Sequence, residues 1–166
     1  MNEAEELADR AIDWLRDHYD EHRFFVERDL VWTLQLRLRD LLRQANSDLR
    51  VLNDFPMIPT SRRSLSADLA LISPDDRVQL ALEFKYEPSH RRTDILGSKF
   101  PVVFWGAEGV AKDVERVRLF VAQGRAVAAR SYFIDEGGYF AHRPPHEGSS
   151  WVEWPRGRWV LVSRAP

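Results

Sequence analysis

The segment Ser64 to Glu87, SLSADLALISPDDRVQLALEFKYE, constrains the fold of this chain more than any other. Leu69 and Leu71, then Leu80, Leu82 and Phe84, alternate with Asp68, Ala70, Ile72, Ala81, Glu83 and Lys85. A period of two predicts strands, because successive side chains of an extended chain point to opposite faces. Pro74, Asp75, Asp76 and Arg77 supply turn chemistry between the two runs. A symmetric loop, either Asp75-Asp76 or Pro74 to Arg77, sets Asp68 directly opposite Glu83, with Cβ atoms roughly 4.5–5.5 Å apart. A three-residue loop or a bulge would shift the register by one and send the two acids to opposite faces.

Lys85 lies two positions beyond Glu83 and points the same way. Two like charges facing each other destabilise a bare sheet. A hard divalent cation between them removes that penalty, since such ions take carboxylate oxygens. The basic residues are 21 Arg and only 3 Lys, yet a lysine stands at position 85. A compact ammonium on a flexible stem can sit beside a reactive water where a planar guanidinium does not substitute for it.

An Asp on one strand and Glu-x-Lys on the next resembles the PD-(D/E)XK nuclease family. The matching residues are Asp68 and Glu83-Phe84-Lys85; Ala67 stands where the family usually has proline. The resemblance implies an α/β (α+β) restriction-endonuclease-like fold, a central mixed β-sheet flanked by helices, with residues 1–166 as one domain. It implies a metal-dependent nuclease hydrolysing phosphodiester bonds, in DNA before RNA, with Mg²⁺ or Mn²⁺ as cofactor. Asp68, Glu83, the Phe84 carbonyl and Glu27 are then the metal ligands, and Lys85 positions the attacking water. Glu27 has a second explanation of equal weight: an acid suits the positive end of a helix. Two rival classes stay open. One is an inactive nuclease-like module that binds nucleic acid or protein. The other is an interaction domain in which Asp68, Glu83 and Lys85 are an ion-paired patch.

The rest of the chain supplies a frame for that hairpin. Residues 3–20 read as an amphipathic helix with an Asn2/Glu5 capping box, and Glu27 to Gln44 as a second helix with Leu30, Val31, Leu34, Leu38, Leu41 and Leu42 on one face. Residues 49–55 predict a strand ended by Pro56 and Pro59, with Asp54 either approaching the site or closing the strand. Arg62 and Arg63 form a basic connector, and Arg91 and Arg92 lie on a long polar connection after Pro88; all four are candidate phosphate contacts. Phe100 to Trp105 fits a strand or a buried turn equally. Residues 113–123 predict a helix with Asp113 as N-cap and Gly124 closing it. Arg116 and Arg118 lie off its apolar stripe, where a solvated face is the plain reading, and Arg116 is a candidate nucleic-acid contact. Ala126 to Ile134 predicts the next strand, and Trp151 to Trp154 with Trp159 to Val162 a terminal hairpin. His18 and His22 have metal-ligand spacing but read more simply as exposed polar groups near a helix end, and His142 and His146 flank Pro144-Pro145 on an extended loop, where they do not share a helix face.

A net charge of −2 argues against a constitutively basic nucleic-acid coat but not against a nuclease with local basic groups. A chain of this size has little room for a separate recognition domain, so a homodimer or a partner protein is expected to add specificity. The absence of cysteine, and an acidic N-terminus without the features of a signal peptide, lead us to expect a cytoplasmic protein. No apolar run reaches membrane-spanning length.

Overall fold

The structure is a computed structural model that describes residues 1–60 and 64–166. The elements in order are helices α1 (Glu3–His18) and α2 (Glu27–Gln44), strands β1 (Arg50–Ile58), β2 (Leu65–Ile72) and β3 (Val78–Glu87), helix α3 (Val110–Ala122), and strands β4 (Ala128–Asp135), β5 (Ser149–Trp154) and β6 (Arg158–Ala165). They build one six-stranded mixed sheet in the order β1-β2-β3-β4-β6-β5. Among the described residues only the β3–β4 pair is parallel, and α3 is the connection that parallel neighbours require.

Helices α1 and α2 cover one face. Leu7, Leu15, Leu30, Leu34, Leu38 and Leu41 pack there against Leu69, Leu71, Leu80, Leu82 and Phe84. The other face carries α3, whose Val117 and Phe120 meet Ala70, Ile72, Ala81 and Ala129. Small residues on this face let α3 approach the sheet closely. The expected capping box is present: Glu5 N–H donates to Asn2 Oδ1 at 3.0 Å, and Asn2 N–H to Glu5 Oε2 at 2.9 Å. Helix α2 has the predicted limits.

The β2–β3 turn differs from both symmetric loops. Five residues, Ser73 to Arg77, join the strands, and Ile72 pairs with Val78. A bulge beside Leu71 then restores the pairs Leu71↔Leu80, Ala70↔Ala81 and Leu69↔Leu82. Those pairs belong to the register that sets Asp68 across from Glu83. The odd loop and the bulge cancel. Asp76 supplies the left-handed residue of the turn (φ 61°), and Ser73 N–H donates to the Arg77 carbonyl at 3.0 Å.

Strand β1 does not stop at Pro56 but continues to Ile58, pairing Pro56 with Ser66. It is an edge strand, where a missing N–H is tolerated. Asp54, exposed and at φ 47°, interrupts it: the flanking pairs Asn53↔Leu69 and Phe55↔Ala67 put it across from Asp68. The kink also switches faces. Val51 packs under α1 and α2, whereas Phe55, an even number of residues on, packs on the α3 side. Residues Phe100 to Trp105 are neither strand nor buried turn throughout; Phe104 is exposed, and Val103 and Trp105 join a third cluster with Phe133, Phe140, Trp151 and Leu161.

Among the described residues, no helix is long and apolar enough to cross a membrane.

Candidate functional site

The regular β2–β3 ladder ends at Leu69↔Leu82. Beyond it, the Asp68 carboxylate takes the place of a strand partner, with Phe84 N–H donating to Asp68 Oδ2 at 2.7 Å. In a strand the N–H and C=O of one residue face the same neighbour, so the Phe84 carbonyl opens toward the same gap.

Around this opening, among the described residues, the structure gathers the charged side chains of Glu27, Asp68, Glu83, Lys85, Asp113 and Arg116. Lys85 Nζ lies 3.1 Å from Glu27 Oε2 and 3.2 Å from Asp113 Oδ2. Arg116 Nη1 lies 2.8 Å from Glu83 Oε2 and 4.0 Å from Asp113 Oδ1. Four carboxylates therefore face two cations. Glu83 is 1% exposed and Asp113 3%. Glu83 Oε1 and Asp113 Oδ2 are buried without a hydrogen-bond partner among the described residues; the ion pair of Asp113 with Lys85 is close but not aligned as a hydrogen bond.

The protonation pattern follows from that environment. Burial pushes the Asp68 carboxyl up to about 7, against the Phe84 N–H that favours its charge, and the charges of Glu27 and Asp113 push it further the same way. Burial, then the negative charge of Asp68, raises Glu83 well above the carboxylate range, although Arg116 opposes this. Burial also raises Glu27, against Lys85. For Lys85 burial acts to lower the value, but Asp113 and Glu27 outweigh it and the ammonium is held above its ordinary range.

The residues fit a hard divalent cation by chemistry. The donors are oxygen, and the second oxygen of Glu83 is buried without a partner among the described residues. They are not arranged around one: among the described residues, no group of three or more His, Asp or Glu side chains converges to hold a metal. Arg116 and Lys85 instead occupy the space between the acids. A void of only about 10 Å³ lies beside Lys85 and Asp113.

The structure thus brings together Asp68, Glu83, Lys85 and Glu27, and adds Asp113 and Arg116 from α3. The expectation that Asp113 caps α3 is corrected. The helix starts three residues earlier, at Val110 after Gly109, and Asp113 lies buried in its first turns. A signal for this was present in the sequence: Asp113 falls on the same helical stripe as Val110, Val114, Val117 and Phe120, and an acid on a buried stripe requires partners. Arg116 is not on a solvated face but pairs with buried Glu83.

Of the other candidate contacts, Arg62 and Arg63 lie outside the described residues. Arg91 is exposed. Arg92 is tied into the fold: it makes a two-pronged pair with Asp94 at 2.9 and 2.7 Å and also donates to the Phe24 carbonyl. His18 and His22 both pack on Trp14 rather than on each other, and His146 stacks on Trp105.

Comparison of the chain with protein-family models, with curated proteins and with solved structures gives no match.

Proposed function

We propose that this chain is a metal-dependent nuclease of the PD-(D/E)XK type, with a restriction-endonuclease-like sheet and DNA as its preferred substrate. The observation that supports this reading is the gathering of Asp68, Glu83, Lys85 and Glu27 around the point where β2 and β3 part. Asp68, Glu83 and the Phe84 carbonyl would hold Mg²⁺ or Mn²⁺, and Glu27 would stand behind Lys85 as an outer partner. Such an ion, when bound, supplies neutralisation of phosphate charge and acidifies water.

The chain's own groups do the rest. Glu27 and Asp113 hold the Lys85 ammonium from two sides, which fixes where it can donate a hydrogen bond to an incoming water and offset negative charge developing on the phosphate. Burial of Glu83 and Asp113 keeps the local dielectric low and strengthens each of these interactions.

One observation favours a second reading. Arg116 already pairs with Glu83, and among the described residues three acids do not converge on one point, as in an ion-paired module that binds nucleic acid without cutting it. A cleavage panel separates the two. Plasmid, linear, single-stranded and branched DNA, and RNA, are incubated with Mg²⁺ and with Mn²⁺. The nuclease reading expects cutting by the wild type and a loss of at least about a hundredfold in Glu83→Gln and Lys85→Ala. Binding without cutting leaves the module, and equal cutting by all three proteins marks a contaminant.

A further inference from the structure

Helix α3 contributes two charged residues that the hairpin motif does not contain, Asp113 and Arg116, and the two cations of the site, Lys85 and Arg116, are held differently. Lys85 is gripped by Glu27 on one side and Asp113 on the other. Arg116 is held at one carboxylate oxygen of Glu83, with Asp113 at 4.0 Å, and its side chain keeps 22% of its surface exposed. The second oxygen of Glu83 is buried with no partner among the described residues. A carboxylate so deeply buried and only half satisfied is costly.

We propose, on the footing of the nuclease reading, that Arg116 is an exchangeable counter-ion. It neutralises Glu83 while no divalent cation is bound, a divalent cation displaces it from that carboxylate, and the released guanidinium turns to a phosphate of the substrate. Arg116 and the metal compete for the same carboxylate, because each neutralises the charge that attracts the other. Arg116 can leave without moving the sheet, since it stands on α3 and reaches solvent. Lys85 cannot take this part, being fixed on two sides. The guanidinium stays charged throughout, and its planar fork matches a phosphate as well as it matches a carboxylate. Asp113, which keeps Lys85 in place and lies near Arg116, is a positioning residue in this exchange.

The test is Mn²⁺ binding by titration calorimetry to the full chain, without substrate, for wild type, Arg116→Met and Arg116→Gln. Removing the competitor should tighten Mn²⁺ binding about ten- to a hundredfold in both variants, the range of one charge-assisted hydrogen bond. Unchanged or weaker binding in the variants, with the wild type still binding, overturns the exchange and leaves the nuclease reading standing. No Mn²⁺ uptake by any of the three proteins sinks both. A measurement on the wild type alone guards against variants that do not fold. The Arg116 Nε–H resonance should be ordered without metal and should shift or broaden on adding Mg²⁺; an unchanged resonance at saturating Mg²⁺ overturns the proposal.

Discussion

Burial works against the charge of Asp68, and this gives stability a pH dependence of definite sign. The group titrates near 3.8 in an unfolded chain and at about 7 in the folded one. Between those values the folded protein keeps a proton that the unfolded chain has lost. The unfolded state then binds fewer protons, so stability falls as pH rises. The contribution is whole below 3.8 and gone above about 7. It amounts to at most about 4 kcal/mol, since a tenfold change in acid dissociation is worth ~1.4 kcal/mol. Asp68→Asn should flatten this part of the curve. Urea unfolding near pH 4.5 and near pH 7.5 should show wild type losing more stability between the two than the variant does, and equal losses would refute the assignment. Part of the slope should survive in the variant, because Glu83 is raised from 4.5 in the same direction.

The elements show which features a linear reading can reach. Helices α1 and α2 were legible because an apolar stripe and local end signals both lie within the segment itself. The β2–β3 register was legible from alternation, though not by the loop expected. The five-residue turn depends on Ser73 accepting from Gln79 Nε2 at 3.0 Å, and the bulge on pairing with a neighbour, and neither has a short-range pattern. The start of helix α3 is hidden from a linear reading, because Asp113 looks like a cap and Gly109 offers no capping side chain. The actual start is fixed sterically: a Cβ on Gly109 would lie 1.8 Å from the Phe104 carbonyl oxygen. That oxygen accepts from Val110 N–H at 2.9 Å, so it cannot simply move aside. Gly109→Ala should therefore cost about 2 kcal/mol or more, as overpacking against backbone does, and should disturb Asp113 and Arg116, about one and two turns on. Gly106→Ala, with nothing within 4 Å of the added carbon, should stay within ~0.5 kcal/mol of wild type. Denaturant melts of the pair check this, and equal stability of the two variants would contradict it.

Across the whole molecule, the candidate site draws on both helix layers. Glu27 comes from α2, Asp113 and Arg116 from α3, and Asp68, Glu83 and Lys85 from the sheet between them. The four acids and Lys85 were within reach of motif and period except for Asp113, whose place depends on a parallel crossover returning α3 over β3. No spacing along the chain encodes that approach. The layering also separates stability from the site. Arg130 of β4 is 2% exposed and pairs across the α1 side with Glu5 at 3.2 Å and with Asp9. It fastens the first helix to the middle of the sheet. Removing one partner of a buried pair typically costs 3–5 kcal/mol, and here less, about 2–3 kcal/mol, because Glu5 and Asp9 keep access to water. Arg130→Met should lower the urea midpoint accordingly. Because Lys85 and Glu83 face α3 on the opposite side, Mn²⁺ affinity of the folded variant should stay within about twofold of wild type, well under the ~1.4 kcal/mol that a tenfold change represents. A large change in metal affinity, with the fold intact by circular dichroism, would show that the two layers are coupled through the sheet rather than independent.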